Sequence, residues 1–416
     1  MLSRVAESIY WMSRQVERAE NLARFLEVTL NLILDQPENV VDPWKPLVQV
    51  TADDEYFREK YGTPNQSTVV QFLAFDTEYP NSMVSCLRQA RENARGVREK
   101  MSSEAFEQLN EFYHFVIDAS HRAASDPTSQ FFDDVRDHTL LWSGVFHSTM
   151  AQDAAWHFAN VGRMLERADK TSRILDVKYF NLLPSMDDVG TAVDDMQWTA
   201  LLLAISGFEA YQRAHHVIDV EKVVEFFLFN RTFPRSVRHC VASAGWSLSE
   251  IEQACHDEAV SRWSDGLESI VGQPRVIGTA DADPLSGDEG GGAKAAEDGA
   301  VAGEGGVAGE GDATEAASAQ ATAVPRVDAD GTLGAMEQRA IATLTSPEGV
   351  PHRSMRLGGD VKTLAMVEAL QHRLTHTQVK EVLAGGMHQF VDGLQIELNR
   401  IGDAIAEDYF HNTTAL

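Results

Sequence analysis

Cysteine is scarce in this chain: Cys86, Cys240 and Cys255 are the only three in 416 residues, and they lie far apart. That spacing excludes a disulfide framework and a Cys-x-x-Cys metal pair, and it reads as reduced core or surface thiols. Basic residues are also in short supply. Lys and Arg number 35 against 63 Asp and Glu, a net charge of −28, which argues against nucleic-acid binding through a general basic surface and favours partners with basic patches. Aromatic residues make up 8%, and no apolar run approaches the roughly 18 residues that a membrane span needs. The first residues lack the charged start, apolar run and small-residue cleavage site of a signal peptide. The expectation is a cytoplasmic protein with neither nucleic acid nor membrane among its partners.

Familiar chemical motifs are missing as well. The chain has no Gly-x-x-x-x-Gly-Lys-Ser/Thr phosphate loop, no His-Glu-x-x-His and no Gly-x-Ser-x-Gly. Glu111 and His114 form one Glu-x-x-His unit, but di-iron bundles need two such units and further glutamates. His372 and His376 stand one helical turn apart without an evident third ligand. Neither a metal, a cofactor nor a catalytic residue is expected.

What is present is a duplicated segment. Arg14 to Val28 laid without a gap over Arg163 to Val177 gives 7 identities in 15 positions, pairing Arg14 with Arg163, Glu17 with Glu166, Arg18 with Arg167 and Arg24 with Arg173. In the first copy Val5, Ile9, Met12, Val16, Ala19, Ala23, Leu26, Leu30 and Ile33 recur at spacings of three and four, one apolar side of a helix. Tyr10, Arg14, Glu17, Arg18, Asn21 and Arg24 fall on the opposite side. Glu20 to Arg24 and Glu166 to Lys170 have the order that supports a helix at i,i+4. Such a face can be a solvated one laced with weak surface ion pairs. It can also be two faces that meet, either each other as a buried ion network or an outside anion, for which the planar guanidinium fork is suited. The candidate binding residues are Arg14, Glu17, Arg18, Asn21, Arg24, Arg163, Glu166, Arg167 and Arg173.

Periodicity elsewhere predicts an all-α, multi-helix bundle. Helix one runs from residue 2 to 34, and shorter helices are expected over 47–61 and 66–76. A helix after Tyr79-Pro80 carries Met83, Leu87, Ala90, Ala94 and Val97 on one face, and Arg88, Arg91, Arg95 and Arg98 on another. Beyond a helix over 103–121, residues 128–150 and 152–180 are expected to form an antiparallel pair, and 197–213 a single helix apolar on most of its circumference, ending with Glu209 and Arg213 at i,i+4. Pro234 sits where a first helical turn tolerates proline, and Ser247 to Glu250 reads as a capping box that starts another helix. Residues 279–330 hold 12 acidic and 2 basic residues among Gly and Ala. No core can be built from such material, so 272–334 reads as a disordered acidic insertion. It interrupts one domain, 1–271 with 335–416, whose last helix over 386–410 buries Met387, Phe390, Leu394, Leu398, Ile401 and Ile405.

The segments Leu2 to Asn21, Gly162 to Asp169, Trp198 to Arg213, Glu225 to Asn230, Phe233 to Val237 and Asp403 to Phe410 together resemble the bacterial alpha-E family, an all-helical domain named for its Glu-Arg motif. The acidic Gly/Ala stretch departs from the family pattern. The resemblance implies neighbourhood with circularly permuted ATP-grasp proteins and transglutaminase-like peptidases, sets proposed to form and break amide bonds in small peptides. The expected role is then a non-catalytic helical partner of an ATP-grasp ligase, docking that protein or a peptide carboxylate on the paired Glu-Arg faces. The alternative is an enzyme of peptide or amide metabolism, with Glu17 or Glu166 as general base and Arg14, Arg18, Arg163 and Arg167 clamping an anionic substrate. A carboxylate ringed by guanidinium groups has a lowered pKa, which counts against that alternative.

Overall fold

Helix α1, Ser3–Asp35, is the axis of the fold. Its apolar side is buried as the spacing predicts, with Ile9, Met12, Val16, Ala19, Ala23 and Leu26 in the core. Its polar side is buried too. Tyr10, Glu17, Glu20, Asn21 and Arg24 are all withdrawn from solvent, so the helix is surrounded on every side rather than amphipathic at a surface. A computed structural model describes residues 3–35, 44–50, 53–122, 129–181, 191–271 and 362–411. No strand occurs among the described residues. The residues before 272 and after 361 fold as one unit. The acidic stretch 272–334 and the resumption of helix near residue 335 lie outside the described residues.

After α2 (Trp44–Val50) and α3 (Asp54–Tyr61), α4 (Gln66–Val70) widens into a π-helical turn, Gln71–Phe75. The chain therefore divides the expected 47–61 segment, and the apolar run Val69 to Leu73 is helical as expected. Helix α5, Met83–Gly96, is capped by the Ser82 side chain, which accepts from the Ser85 backbone N–H. It lays Met83, Leu87, Ala90 and Ala94 against α1. Of the arginines expected on its other face, Arg91 donates to Asn110 and covers the Tyr113 ring, while Arg98 lies beyond the end of α5 in a 3-10 turn, Arg98–Lys100, and covers Phe106 at 4.6 Å.

Helices α6 (Ser103–Arg122), α7 (Ser129–Thr149) and α8 (Ala154–Asn181) follow. The expected antiparallel pairing of the last two does not occur along their length. They diverge at residues 150–153, α7 packing on α1 and α6 while α8 packs on α1 and on α12, Val237–Val271. The reason is that α8 is polar on two sides and needs α1 for one of them. The expected helix over 197–213 is broken as well: α9 (Ala192–Ala204) and α10 (Phe208–His215) are separated at Ser206, whose φ is 52°. Glu209 and Arg213 consequently lie exposed on α10, and Leu203 is 49% exposed. After α11 (Val220–Phe229), Ser247 does not start a helix; it lies buried inside the continuous α12 and its hydroxyl accepts from Asn160 Nδ2 at 2.8 Å. The last elements are α13 (Lys362–His376), α14 (Val379–Gly385) and α15 (Met387–Ile405), with a π-helical turn over Ala406–His411. Met387, Leu394, Leu398, Ile401 and Ile405 are buried as expected, and Phe390 partly so.

Candidate functional site

The two copies of the repeat meet. Gly162 lies against Tyr10 and Arg14, Glu166 against Arg14 and Arg18, and Arg167 against Glu17, at separations of 148 to 152 residues, so over this stretch the two helices run parallel and in the register of the duplication. Gly162 sets their approach. A Cβ there would collide with the Tyr10 backbone carbonyl and stand 3.2 Å from Arg14 Cγ, so only glycine lets α8 lie this close to α1.

At that approach the charges cross. Arg167 grips Glu17 with both prongs, Nε to Oε1 at 2.8 Å and a terminal nitrogen to Oε2 at 2.7 Å. Arg18 grips Glu166 in the same way, at 2.6 and 3.1 Å. Arg14 adds Nε to Glu166 Oε2 at 2.9 Å and donates to the Tyr10 hydroxyl at 2.8 Å. Lys170 lies 3.5 Å from the same glutamate. Bidentate charge-assisted bonds of this type are the strong ones, and they are needed, because Glu166 and Glu17 are almost completely buried.

The symmetry between the copies then fails at one place. Arg163, the counterpart of Arg14, does not bond Glu17. That position is taken by Arg235, from the Phe233 to Val237 turn, which donates to Glu17 Oε1 at 3.2 Å and to Glu20. Glu20 also accepts both Nε and a terminal nitrogen of Arg24, at 2.9 and 2.7 Å. Arg24 in turn donates to the Ala204 carbonyl and the Ser206 hydroxyl, which ties α1 to the break after α9. Asn21 donates to Glu17 from within α1 and accepts from Arg235. On the other copy Arg173 and Lys170 both hold Asp169.

Arg163 turns instead toward α7. It donates to Ser143 Oγ at 3.0 Å, to Asn160 Oδ1 at 2.8 Å and to His147 Nε2 at 2.8 Å. His147 can accept there only as the neutral tautomer that donates from Nδ1 to the Ser143 carbonyl, at 2.7 Å. Burial, then the Arg163 charge, lower the His147 pKa and favour that neutral form. Burial together with the nearby Arg167 charge lowers Arg163 to about 10, so it stays a cation at neutral pH.

The carboxylates are poor bases here. Burial pushes the Glu17 pKa up, but Arg167 and Arg235 outweigh it and hold the group below its ordinary value. Burial is likewise overcome at Glu166 by Arg18, Lys170 and Arg14, and at Glu20 by Arg235 and Arg24. Burial raises the Cys86 and Cys240 thiols to about 12, which leaves them inert. Glu111 and His114 are both exposed, and the His372 and His376 rings lie 4.1 Å apart, tilted by 31°. Among the described residues no group of three or more His, Cys, Asp or Glu could hold a metal ion, and no helix is long and apolar enough to cross a membrane.

Of the residues expected to share a site, Arg14, Glu17, Arg18, Asn21, Arg24, Glu166 and Arg167 lie in this core, Arg173 borders it, and Arg163 stands apart from its glutamate. Arg235 was not among them. Its signal was its place in the Phe-Pro-Arg-Ser turn, a lone arginine beside a helix start, which nothing in the repeat points to.

A family model described as a predicted alpha-helical domain with a conserved ER motif matches residues 1–282 and 348–410. An uncharacterized protein of Mycobacterium bovis is 25% identical over 310 residues, 68% of this chain and 34% of that protein. An uncharacterized protein of Mycobacterium tuberculosis strain H37Rv is 24% identical over the same length. The chain thus spans about a third of the length of the curated relatives it matches. No solved structure matches it. Glu17-Arg18 and Glu166-Arg167 hold the two central helices together, the family description covers most of the sequence, and the chain belongs to the Alpha-E family.

Proposed function

We propose that this chain is a non-catalytic helical partner in an amide-bond-forming system of the ATP-grasp type, with transglutaminase-like proteins as further partners, and that its Glu-Arg core holds a peptide carboxylate rather than reacting with it. One observation carries the reading: every core carboxylate is already engaged by a cation, and the cations exceed them. Arg24, Arg167 and Arg235 surround Glu17 and Glu20, with Arg163 alongside. Such carboxylates cannot take a proton from a substrate near neutral pH, whereas surplus guanidinium can hold an anion. About two thirds of each curated relative lies outside the match, room for a second unit that would do the chemistry.

The test is co-purification of the tagged full chain from its own cells. Recovery of an ATP-grasp protein, retained at moderate salt, is the expected result. Amide-bond formation or hydrolysis by the purified chain alone, abolished in Glu17→Gln, would overturn the reading in favour of an enzyme.

A further inference from the structure

Beside Arg163 lies a small cavity, lined also by Trp142, Ser143, Glu17, Arg167 and Leu140, with about 30 Å³ of space for water-sized atoms. Leu140, on its lining, is 58% exposed. Two of the residues that line it each carry a buried donor without an acceptor. The Nε–H of Arg163 is buried without an acceptor, and so is the indole Nε1–H of Trp142, a side chain only 1% exposed. Both groups can only donate, so the missing partner is an acceptor. Arg163 is also a cation that no carboxylate of the described residues approaches within ion-pair distance, since Arg235 has displaced it from Glu17. Leaving a charge and two donors unmatched in a buried place is costly.

The geometry points to a seat for a carboxylate, the free C-terminus of a peptide, held by Arg163 and the Trp142 indole N–H with Leu140 beside the terminal side chain. Size selects this class of anion. One water needs roughly 10–15 Å³ on the same measure, so the cavity takes two oxygens and not the four of a phosphate. Glu17 and Glu20 line the same cavity, yet their charges are spent on Arg24, Arg167 and Arg235. The inference deepens the peptide-carboxylate reading above, but it stands on Arg163 and Trp142 and does not require an ATP-grasp partner.

The experiment follows the tryptophan indole N–H resonances of the full-length chain by NMR, with Trp142 assigned by its loss in Trp142→Phe. Millimolar acetate, and more tightly a short peptide ending in leucine, are expected to shift the Trp142 signal, while the same peptide amidated and inorganic phosphate do not. Arg163→Gln is expected to weaken the response about tenfold or more in a chain that still unfolds cooperatively, with some loss of melting temperature from the bonds to Ser143, Asn160 and His147. A Trp142 signal that ignores acetate and peptide, a response that survives Arg163→Gln, or phosphate or amidated peptide bound as well as the free acid would each overturn the inference. Failure of the co-purification with a normal acetate response would sink the partner and leave the seat.

Discussion

Arg163 and Arg167 stand one turn apart on the same helix in opposite circumstances: one is gripped by Glu17, the other has lost that glutamate to Arg235. Removing a partner from a buried pair leaves an unmatched charge, so Glu166→Ala, which strands Arg14 and Arg18, should cost about 3–5 kcal/mol in denaturant unfolding. A double-mutant cycle on Glu17 and Arg167 should return a favourable coupling of roughly 0.5–3 kcal/mol, with Glu17→Ala/Arg167→Ala less damaged than the two single losses added together. A coupling of zero would mean that solvent replaces the contact. The residues of this core were legible because the duplication printed them twice in one register. What could not be read was which carboxylate each guanidinium would choose, because that depends on Arg235, a residue present once and remote in sequence from both copies.

Glycine at 162 decides whether α1 and α8 can touch at all. Gly162→Ala drives a methyl group against the Tyr10 carbonyl, an atom that cannot rotate away, and should lower stability by about 1–3 kcal/mol. Thermal unfolding of the two proteins side by side would show it, and an unchanged melting temperature would mean that the helices are further apart than described here. At the end of α10, His216 adopts a left-handed φ of 60°, where glycine pays no steric penalty. His216→Gly should therefore stabilise by up to about 1 kcal/mol. The long helices were legible from their three-and-four spacing. The break at Ser206 had a local signal, the Ser206-Gly207 pair that interrupts the apolar run; what could not be read is the remote Arg24, which donates to the Ala204 carbonyl and the Ser206 hydroxyl. Ser247 misled in the same manner, since the hydroxyl that suits a helix start instead answers Asn160 from a neighbouring helix.

The molecule as a whole should be sensitive to acid. Despite their burial, Glu17, Glu20, Glu166 and Asp169 are held below their ordinary values by neighbouring cations. A carboxylate whose pKa is depressed on folding contributes stability that is complete above its unfolded value and is lost as pH falls toward the folded one. Burial raises Glu27 and Asp176, which act in the opposite sense but are fewer. Burial also lowers His147 and His157, which begin the loss as pH falls below about 6.5, so the melting temperature should decline gently there and more steeply below about 4.5, and a flat profile down to pH 3 would contradict the charge assignments. Net charge gave no warning of this, since a chain of −28 conceals a centre where cations prevail.

The crossing of Glu17 to Arg167 and Glu166 to Arg18 has one more consequence. A rod that carries acid and base side by side is its own complement, able to clasp a second rod of the same kind as a twofold dimer would. Joining both rods in one polypeptide makes the embrace permanent and relieves the halves of the need to stay alike. Once they need not match, a third arm can substitute for one hand, and the hand so released is available for a stranger.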